Sequence, residues 1–320
     1  MTTVSAVIPT YNGTRYLLDA VQSAMAQTYE LLEIIVVDDG SPEGIETLLS
    51  PFFPKVRYVR QENAGPAAAR NLGISVAKGD LIAFLDDDDL WHPQKTAVQV
   101  RRMMENPGCA LVYSYQELID EEGRVIPNEA PAEFPSGSVY RDFLKRNWIG
   151  TASVAMVRRE AFEEIGLFDE NRGYLCGEDY DLWLRIARNY EVIFCPGNLA
   201  CYRVRNTGIS QNLDNALKGD LYVLRKSVFL HEKDPKLPDA EFYAAVDACM
   251  HHTTRKFAYL NYYMRNERTE ARRLLMTALR LRPCNLKDLC YLVVFSMPDF
   301  LFRFLRRTKQ RLSAAVYHSS

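Results

Sequence analysis

Two rhythms of apolar residues alternate through the first hundred positions. Ile34-Ile35-Val36-Val37 and Leu81-Ile82-Ala83-Phe84-Leu85 are unbroken apolar runs, the pattern of strands buried on both faces of a parallel sheet. Between such runs the period lengthens to that of a helix, as where Leu17, Leu18, Val21 and Met25 share one face. The pattern predicts strands at 4–8, 33–37, 56–60 and 80–85. It predicts helices at 15–27, near 43–50, at 65–77 and at 93–105, the last opening on Pro93, which suits a first helical turn. Such alternation predicts an α/β fold with a mostly parallel, doubly wound sheet.

After Pro107 the rhythm changes. Strands are expected at 110–118 and 124–126, joined by the acidic turn Asp120-Glu121-Glu122-Gly123, and then a Pro/Glu-rich loop at 128–137. A strand at 151–157, a helix at 159–165, an amphipathic helix at 178–189 and short strands at 192–195 and 200–204 follow. From about residue 213 the pattern is helical only, so the expected organisation is an α/β unit over 1–212 and a helical region over 213–320. Residues 271–283 have the spacing of one tetratricopeptide helix, but a single copy cannot form a solenoid.

Composition narrows the class. The 320 residues are 48% hydrophobic and 25% charged, enough apolar material for a substantial core. A net charge of −2 offers no bulk polycation, so nucleic acid is not an expected partner. Seven scattered cysteines without a Cys-x-x-Cys pair read as reduced thiols of a cytoplasmic protein. The N-terminus runs straight into a strand, so no signal peptide is expected. No apolar stretch approaches the roughly 18 residues of a membrane span.

Chemistry concentrates where strands end. Asp86-Asp87-Asp88-Asp89 follows one apolar run, and Asp38-Asp39-Gly40-Ser41 follows another. Four adjacent carboxylates repel one another and call for a counter-charge. Hard oxygen ligands suit Mg²⁺ or Mn²⁺ bridging carboxylates to a diphosphate. The competing reading is an acidic turn that caps the next helix. Two acidic strand ends on one sheet favour a site, because open α/β sheets bind ligands outside the carboxyl ends of their strands.

Five motifs in order carry a family resemblance. They are Ile8-Pro9-Thr10-Tyr11-Asn12, Val37-Asp38-Asp39-Gly40-Ser41, Asn63-x-Gly65 leading to Ala69-Arg70-Asn71-x-Gly73, the Asp-x-Asp segment 84–93, and Gly177-Glu178-Asp179-Tyr180-Asp181-Leu182-Trp183-Leu184-Arg185. Over roughly residues 4–212 the chain resembles a non-processive family 2 glycosyltransferase of the GT-A fold, a Rossmann-like mixed sheet flanked by helices.

That resemblance implies a nucleoside-diphosphate sugar donor (UDP, dTDP or GDP), a divalent metal and inversion at the anomeric carbon. It implies Asp88 and Asp86 as metal ligands, with Asp88 the direct one; Asp87 stands where the family often has Ser, which leaves the ligand set open. Asp39 matches the acid that reads the nucleotide base, and Pro9, Tyr11, Asn63, Arg70 and Asp87 fall at donor-binding positions. Tyr11 either stacks on the base or packs in its turn; Arg70 either lies near the diphosphate or forms a surface ion pair. Asp179 matches the catalytic base, at a helix N-terminus whose dipole favours the ionised form. Glu178 and Trp183 flank it on the acceptor side, and Trp183 and Leu184 can bury part of the helix. The bland reading is that Glu178, Asp179 and Asp181 decorate a first turn, where acids are favoured.

One departure stands out. Where the family often has Tyr-Arg-x-His, this chain has Tyr202-Arg203-Val204-Arg205. Arginine stays protonated and cannot ligate a metal, but its forked donors suit a diphosphate, so Arg205 is expected to clamp the donor. The Gln-x-x-Arg-Trp motif of processive synthases is absent, so single-sugar transfer is expected. Residues 300–312 combine aromatic and aliphatic residues with five basic ones and no acid. They suit either peripheral contact with the inner face of the plasma membrane, near a polyprenyl-linked acceptor, or a helix packed with its basic face outward. The loop at 147–153 is a candidate for acceptor recognition. His92, just before Pro93, is expected to pack in its loop, and His251-His252 to be an ordinary helical pair.

Two other functional classes compete with this reading. A catalytically inert nucleotide-sugar-binding scaffold in a glycan assembly complex is disfavoured by retention of Asp39, Asp86, Asp88 and Asp179. A nucleotidyltransferase is disfavoured because Pro9-Thr10-Tyr11-Asn12-Gly13-Thr14 has one glycine and no lysine, and no P-loop pattern occurs.

Overall fold

A computed structural model describes residues 2–13, 15–42, 44–171, 176–205, 212–265, 267–282 and 285–296. The basic segment 300–312 lies outside them. The described chain falls into two compact units, one through Phe242 and one from Tyr243 onward.

The first unit is built on a single sheet of nine strands. Strands β1 (Val4–Thr10), β2 (Glu33–Asp38), β3 (Val56–Arg60) and β4 (Leu81–Phe84) form its parallel half in the order β3-β2-β1-β4. Every residue of β1 and β4 is buried, as their unbroken apolar runs demand. Helices α1 (Leu17–Met25), α2 (Ile45–Leu49) and α3 (Pro66–Val76) connect them. Gly73 lets α3 lie close on the sheet: a Cβ there would fall 2.3 Å from a Val7 methyl and 3.3 Å from a Val37 methyl. In this register Thr10 lies beside Asp38 and Val7 beside Phe84, so β1, β2 and β4 end at one edge.

The other half is mixed. Beyond β4 and β5 (Leu90–Trp91), helix α4 (Lys95–Glu105) leads to β6 (Cys109–Ile119) and β7 (Val125–Ile126). After α5 (Tyr140–Lys145), β8 (Ala155–Arg158) runs antiparallel to both β4 and β6. Helices α6 (Ala161–Ile165) and α7 (Glu178–Asn189) precede β9 (Glu191–Arg203), which runs parallel to β6 and antiparallel to β5. The strands expected at 192–195 and 200–204 are therefore one strand. Cys195-Pro196-Gly197-Asn198 reads as a break in sequence, but the pairing continues past it with register shifts near Tyr115.

Helix α8 (Leu213–Lys233) belongs to the same unit and grips the start of α7. Gly219 meets the chain entering α7, where a Cβ would sit 2.1 Å from the Cys176 carbonyl oxygen. Lys226 Nζ lies 2.6 Å from Asp169 and 3.0 Å from the buried Asp181, while the Tyr222 hydroxyl donates to Asp169.

The second unit takes in most of α9 (Asp239–Leu260), with α10 (Arg268–Leu281) and α11 (Leu286–Ser296). Within it Tyr262 stacks on Phe295, and His251 is buried with its Nε2 2.5 Å from the buried carboxylate of Asp288. His251 is thus tied to α11, which its sequence neighbourhood did not foreshadow. Among the described residues no helix is long and apolar enough to cross a membrane.

Candidate active site

Two acidic corners sit side by side at the shared edge of β1, β2 and β4. In the first, Asp38 is fully buried and accepts bonds from the Ser41 backbone N–H, the Tyr58 hydroxyl and the Arg60 guanidinium at 2.7–2.9 Å. Asp39 accepts from the Gln61 amide and from the Ala64 and Gly65 backbone N–H groups at 2.7–2.8 Å. Gly40, with φ of 79°, lets the two loops close, since a Cβ there would meet the Asn63 nitrogen at 2.7 Å. Asn63 is exposed on this loop, and Tyr11 is 51% exposed on the loop after β1 beside left-handed Asn12. Tyr11 therefore presents its ring outward rather than packing in its turn. Pro9 is buried inside β1, directly before Thr10 and Tyr11.

The second corner is the turn between β4 and β5. Its four carboxylates point different ways. Asp89 is fully buried, accepting from Ser153 Oγ at 2.6 Å, Thr151 Oγ1 at 3.0 Å and the Arg203 N–H at 2.9 Å. Asp87 turns toward the β1 loop, where it accepts from the Thr10 hydroxyl, and a Cβ on Gly13 would fall 1.7 Å from its Oδ2. Asp86 pairs with Arg70 at 2.7 Å and Asp88 with Arg205 at 3.2 Å. Arg203, buried over the Tyr16 ring, donates through Nε to the Asp88 carbonyl. Asp86 and Asp88 thus keep the most open carboxylates, their side chains about a quarter exposed.

Charge is unbalanced here. Burial pushes Asp87 up to about 7, against the Thr10 bond. Burial and the Asp86 charge also raise Asp88, and Asp89 is raised well above the usual carboxylate range for the same two reasons. Among the described residues four carboxylates face three arginines, Arg70, Arg203 and Arg205, the first shared with Glu178, and a divalent ion would add the balancing charge. The donor set fits, with hard oxygens on Asp86 and Asp88. Among the described residues the guanidinium Nε atoms of Arg70 and Arg205 are buried without hydrogen-bond partners.

Arg70 joins this corner to the expected base. Only 6% exposed, it is not a surface ion pair: its two terminal nitrogens reach Asp86 at 2.7 Å and Glu178 at 2.8 Å. Burial pulls its guanidinium down, but the charges of Asp86 and Glu178 outweigh that and leave it above its ordinary value. Asp179, next in the first turn of α7, is pushed up to about 7 by burial and by the Glu178 charge, against the pull of Arg70. The helix N-terminus alone would favour the ionised form; burial and the neighbouring carboxylate outweigh it.

Trp183 does not face an acceptor. It is fully buried, with its ring against Phe84 and Phe168, and it anchors α7 to the sheet. Thr10, Thr151, Ser153 and Arg203 hold the acidic turn without having been singled out for that role. Arg203 and Thr151 lay inside segments of interest, but which carboxylate each would meet is a matter of tertiary pairing.

Residues 5–166 match the family model "Glycosyl transferase family 2". The chain belongs to this family. A relative from Bacillus subtilis, "Putative teichuronic acid biosynthesis glycosyltransferase TuaG", is 32% identical over 71% of this chain and 89% of its own length. An Escherichia coli relative, "UDP-Glc:alpha-D-GlcNAc-diphosphoundecaprenol beta-1,3-glucosyltransferase WfgD", is 31% identical over 69% and 85%. An uncharacterized glycosyltransferase of Rickettsia felis is 35% identical over 72% of this chain, which spans only 38% of that relative. Among solved structures, S. aureus TarS 1-349 in complex with UDP-GlcNAc superposes with a TM-score of 0.65 at 14% identity, covering 87% of this chain and 81% of that one. The Pyrobaculum calidifontis mannosyltransferase PcManGT, in complex with GDP-Man and Mn²⁺, gives 0.62 at 20% identity over 99% and 86%. The fold of this family 2 member is therefore that of the GT-A glycosyltransferases.

Proposed function

We propose that the protein transfers a single sugar from a nucleoside-diphosphate sugar to a hydroxyl of a glycan or lipid-linked acceptor, with inversion and with a divalent metal, in cell-surface polysaccharide assembly. The observation that carries this reading is the Arg70 bridge, which keeps Asp86 and the acidic first turn of α7 within one guanidinium span. A leaving diphosphate and an attacking hydroxyl need such a juxtaposition.

In this reading Tyr11, Asp39 and Asn63 take the nucleoside. Asp39 already spends three acceptor positions on its own loop, so its ordered carboxylate has one direction left for a base N–H. Asp86 and Asp88 would hold Mn²⁺ or Mg²⁺, which would supply Lewis-acid neutralisation of the departing diphosphate. Arg205 moves its donors from Asp88 to the phosphates. Asp179 accepts the proton of the acceptor hydroxyl as that oxygen bonds to the anomeric carbon and the bond to the diphosphate breaks. Glu178, fixed by Arg70, keeps Asp179 from ionising too early and lines the acceptor side.

The acceptor has a suitable place. A cleft of about 480 Å³ is lined by Tyr115, Gln116, Phe134, Trp148 and Gly150 among others, and Thr151, next to Gly150, donates to Asp86 and Asp89. Aromatic walls suit sugar faces. The printed name of the E. coli relative, with its diphosphoundecaprenol acceptor, supports a lipid-linked one here. Peripheral membrane contact through the basic segment 300–312, on the inner face of the plasma membrane, goes with that acceptor, while the motifs that carry the chemistry lie in 1–212.

Calorimetry with UDP, dTDP and GDP, with and without Mn²⁺, tests the donor site. Metal-dependent binding of one nucleotide is expected, and Asp88→Ala should abolish it. Binding of none under any condition overturns the reading, and binding without any sugar transfer would leave the inert scaffold.

A further inference from the structure

A second cluster of metal-ligand chemistry lies on the sheet beyond the acidic turn. Three strands bring it together. Glu117 on β6 and Cys201 on β9 are register partners, and Cys201 is also paired with Leu90 on β5. His92, two residues past Leu90, is held by its backbone N–H to the Leu199 carbonyl at 3.0 Å, so it projects to the same face as Cys201. The Cys201 Sγ lies 3.6 Å from His92 Nε2 and 3.9 Å from Glu117 Oε2, and all three ligand atoms fall within 4.8 Å of one another.

These separations have the size of a coordination polyhedron. With zinc bond lengths of about 2.0–2.3 Å, the edge of a tetrahedron between nitrogen and sulfur ligands is about 3.6 Å. The sulfur–nitrogen pair already meets that spacing and the sulfur–oxygen pair is close to it. The donors are soft and borderline, unlike the all-oxygen set of Asp86 and Asp88. Among the described residues this is the one His/Cys/Asp/Glu group so arranged.

We propose that His92, Glu117 and Cys201 form a binding site for a thiophilic divalent cation of the Zn²⁺ class, distinct from the donor-site metal. Cys201 enters as the thiolate, so one proton leaves for each ion bound. Without an ion, burial and the charges of Glu117 and Asp89 push the thiol up to about 11, and a dication removes that obstacle. The site sits on the strand that ends in Arg203, whose N–H and Nε hold the acidic turn. An ion there ties β5 and β6 to β9 close to the donor site.

The test is a titration of the chelator-treated full-length chain with Co²⁺, followed by near-ultraviolet absorption. One equivalent should produce a thiolate-to-cobalt charge-transfer band, and Zn²⁺ should displace it. Cys201→Ser should abolish the band, while Asp88→Ala should keep it. His92→Gln and Glu117→Gln retain the thiol and should each weaken Co²⁺ binding at least tenfold; they serve if Cys201→Ser does not fold. No band in wild type, a band that survives Cys201→Ser, or affinity unchanged in both conservative variants overturns the proposal.

Discussion

The two acidic corners at the sheet edge look alike in sequence and differ in charge balance. The Asp38–Asp39 corner closes on itself, because Tyr58, Arg60, Gln61 and backbone N–H groups occupy its carboxylates. The 86–89 corner holds four carboxylates against three arginines, Arg70, Arg203 and Arg205, and Arg70 also serves Glu178. One corner is largely tied up on folding and leaves Asp39 a single open direction; the other keeps the carboxylates of Asp86 and Asp88 partly exposed. The difference separates a loop whose acids are fixed by their neighbours from a turn whose like charges stay crowded.

The comparison can be broken most severely at the base. Asp179→Asn should lower sugar transfer by about 10²–10⁴-fold and leave nucleotide binding intact, measured by initial rates beside calorimetry. The wild-type rate should rise with pH through about 7, where Asp179, raised by burial and by the Glu178 charge, loses its proton. Stability should run the other way. A carboxyl raised from its ordinary value to about 7 binds protons more tightly folded than unfolded, so stability falls as pH climbs from about 4 to 7. Thermal melts across that range check the sign, and Mn²⁺ should flatten the decline.

A smaller effect tests the clamp. Arg205→Ala should weaken Mn²⁺-dependent nucleotide binding about tenfold, the scale of one charge-assisted hydrogen bond. Unchanged affinity would leave Arg205 as a partner of Asp88 alone. The smallest effects are in stability and sharpen the contrast directly. Asp38→Ala takes the acceptor from the buried Ser41 N–H and from the Tyr58 hydroxyl, while half-exposed Arg60 turns to water, and should cost about 1–3 kcal/mol, a loss of several degrees in Tm. Asp87→Asn relieves crowding and should raise Tm by about 1–3 degrees. Equal signs for the two substitutions would end the comparison.

What was legible in the sequence follows the range of the interactions. The parallel half is local: apolar runs, helix periods and short loops spell β1 to β4 in order. The mixed half depends on pairing between distant strands, and the bulged continuation of β9 past Pro196 and Gly197 looks like a break until β6 lies beside it. Asp86, Asp88 and Asp179 could be named from ordered motifs. Arg70 could be placed near them, but its contact with Glu178, 108 residues away, is tertiary. Trp183 was misplaced because an aromatic two positions past an acidic turn suits either a ligand or a core, and the packing of Phe84 and Phe168 decides for the core.

Gly219 bears on how the protein can be cut. A chain trimmed after residue 212 would keep every strand and all the motif residues, and would look like a minimal enzyme on paper. It would also lose the helix whose bare backbone seats the entry to α7 and whose Lys226 shares Asp181 with Arg185. The first turn of α7, which carries the proposed base Asp179, would then lose the helix packed against its entry. Shortened versions for crystallisation or engineering should end beyond Phe242, where the first compact unit closes.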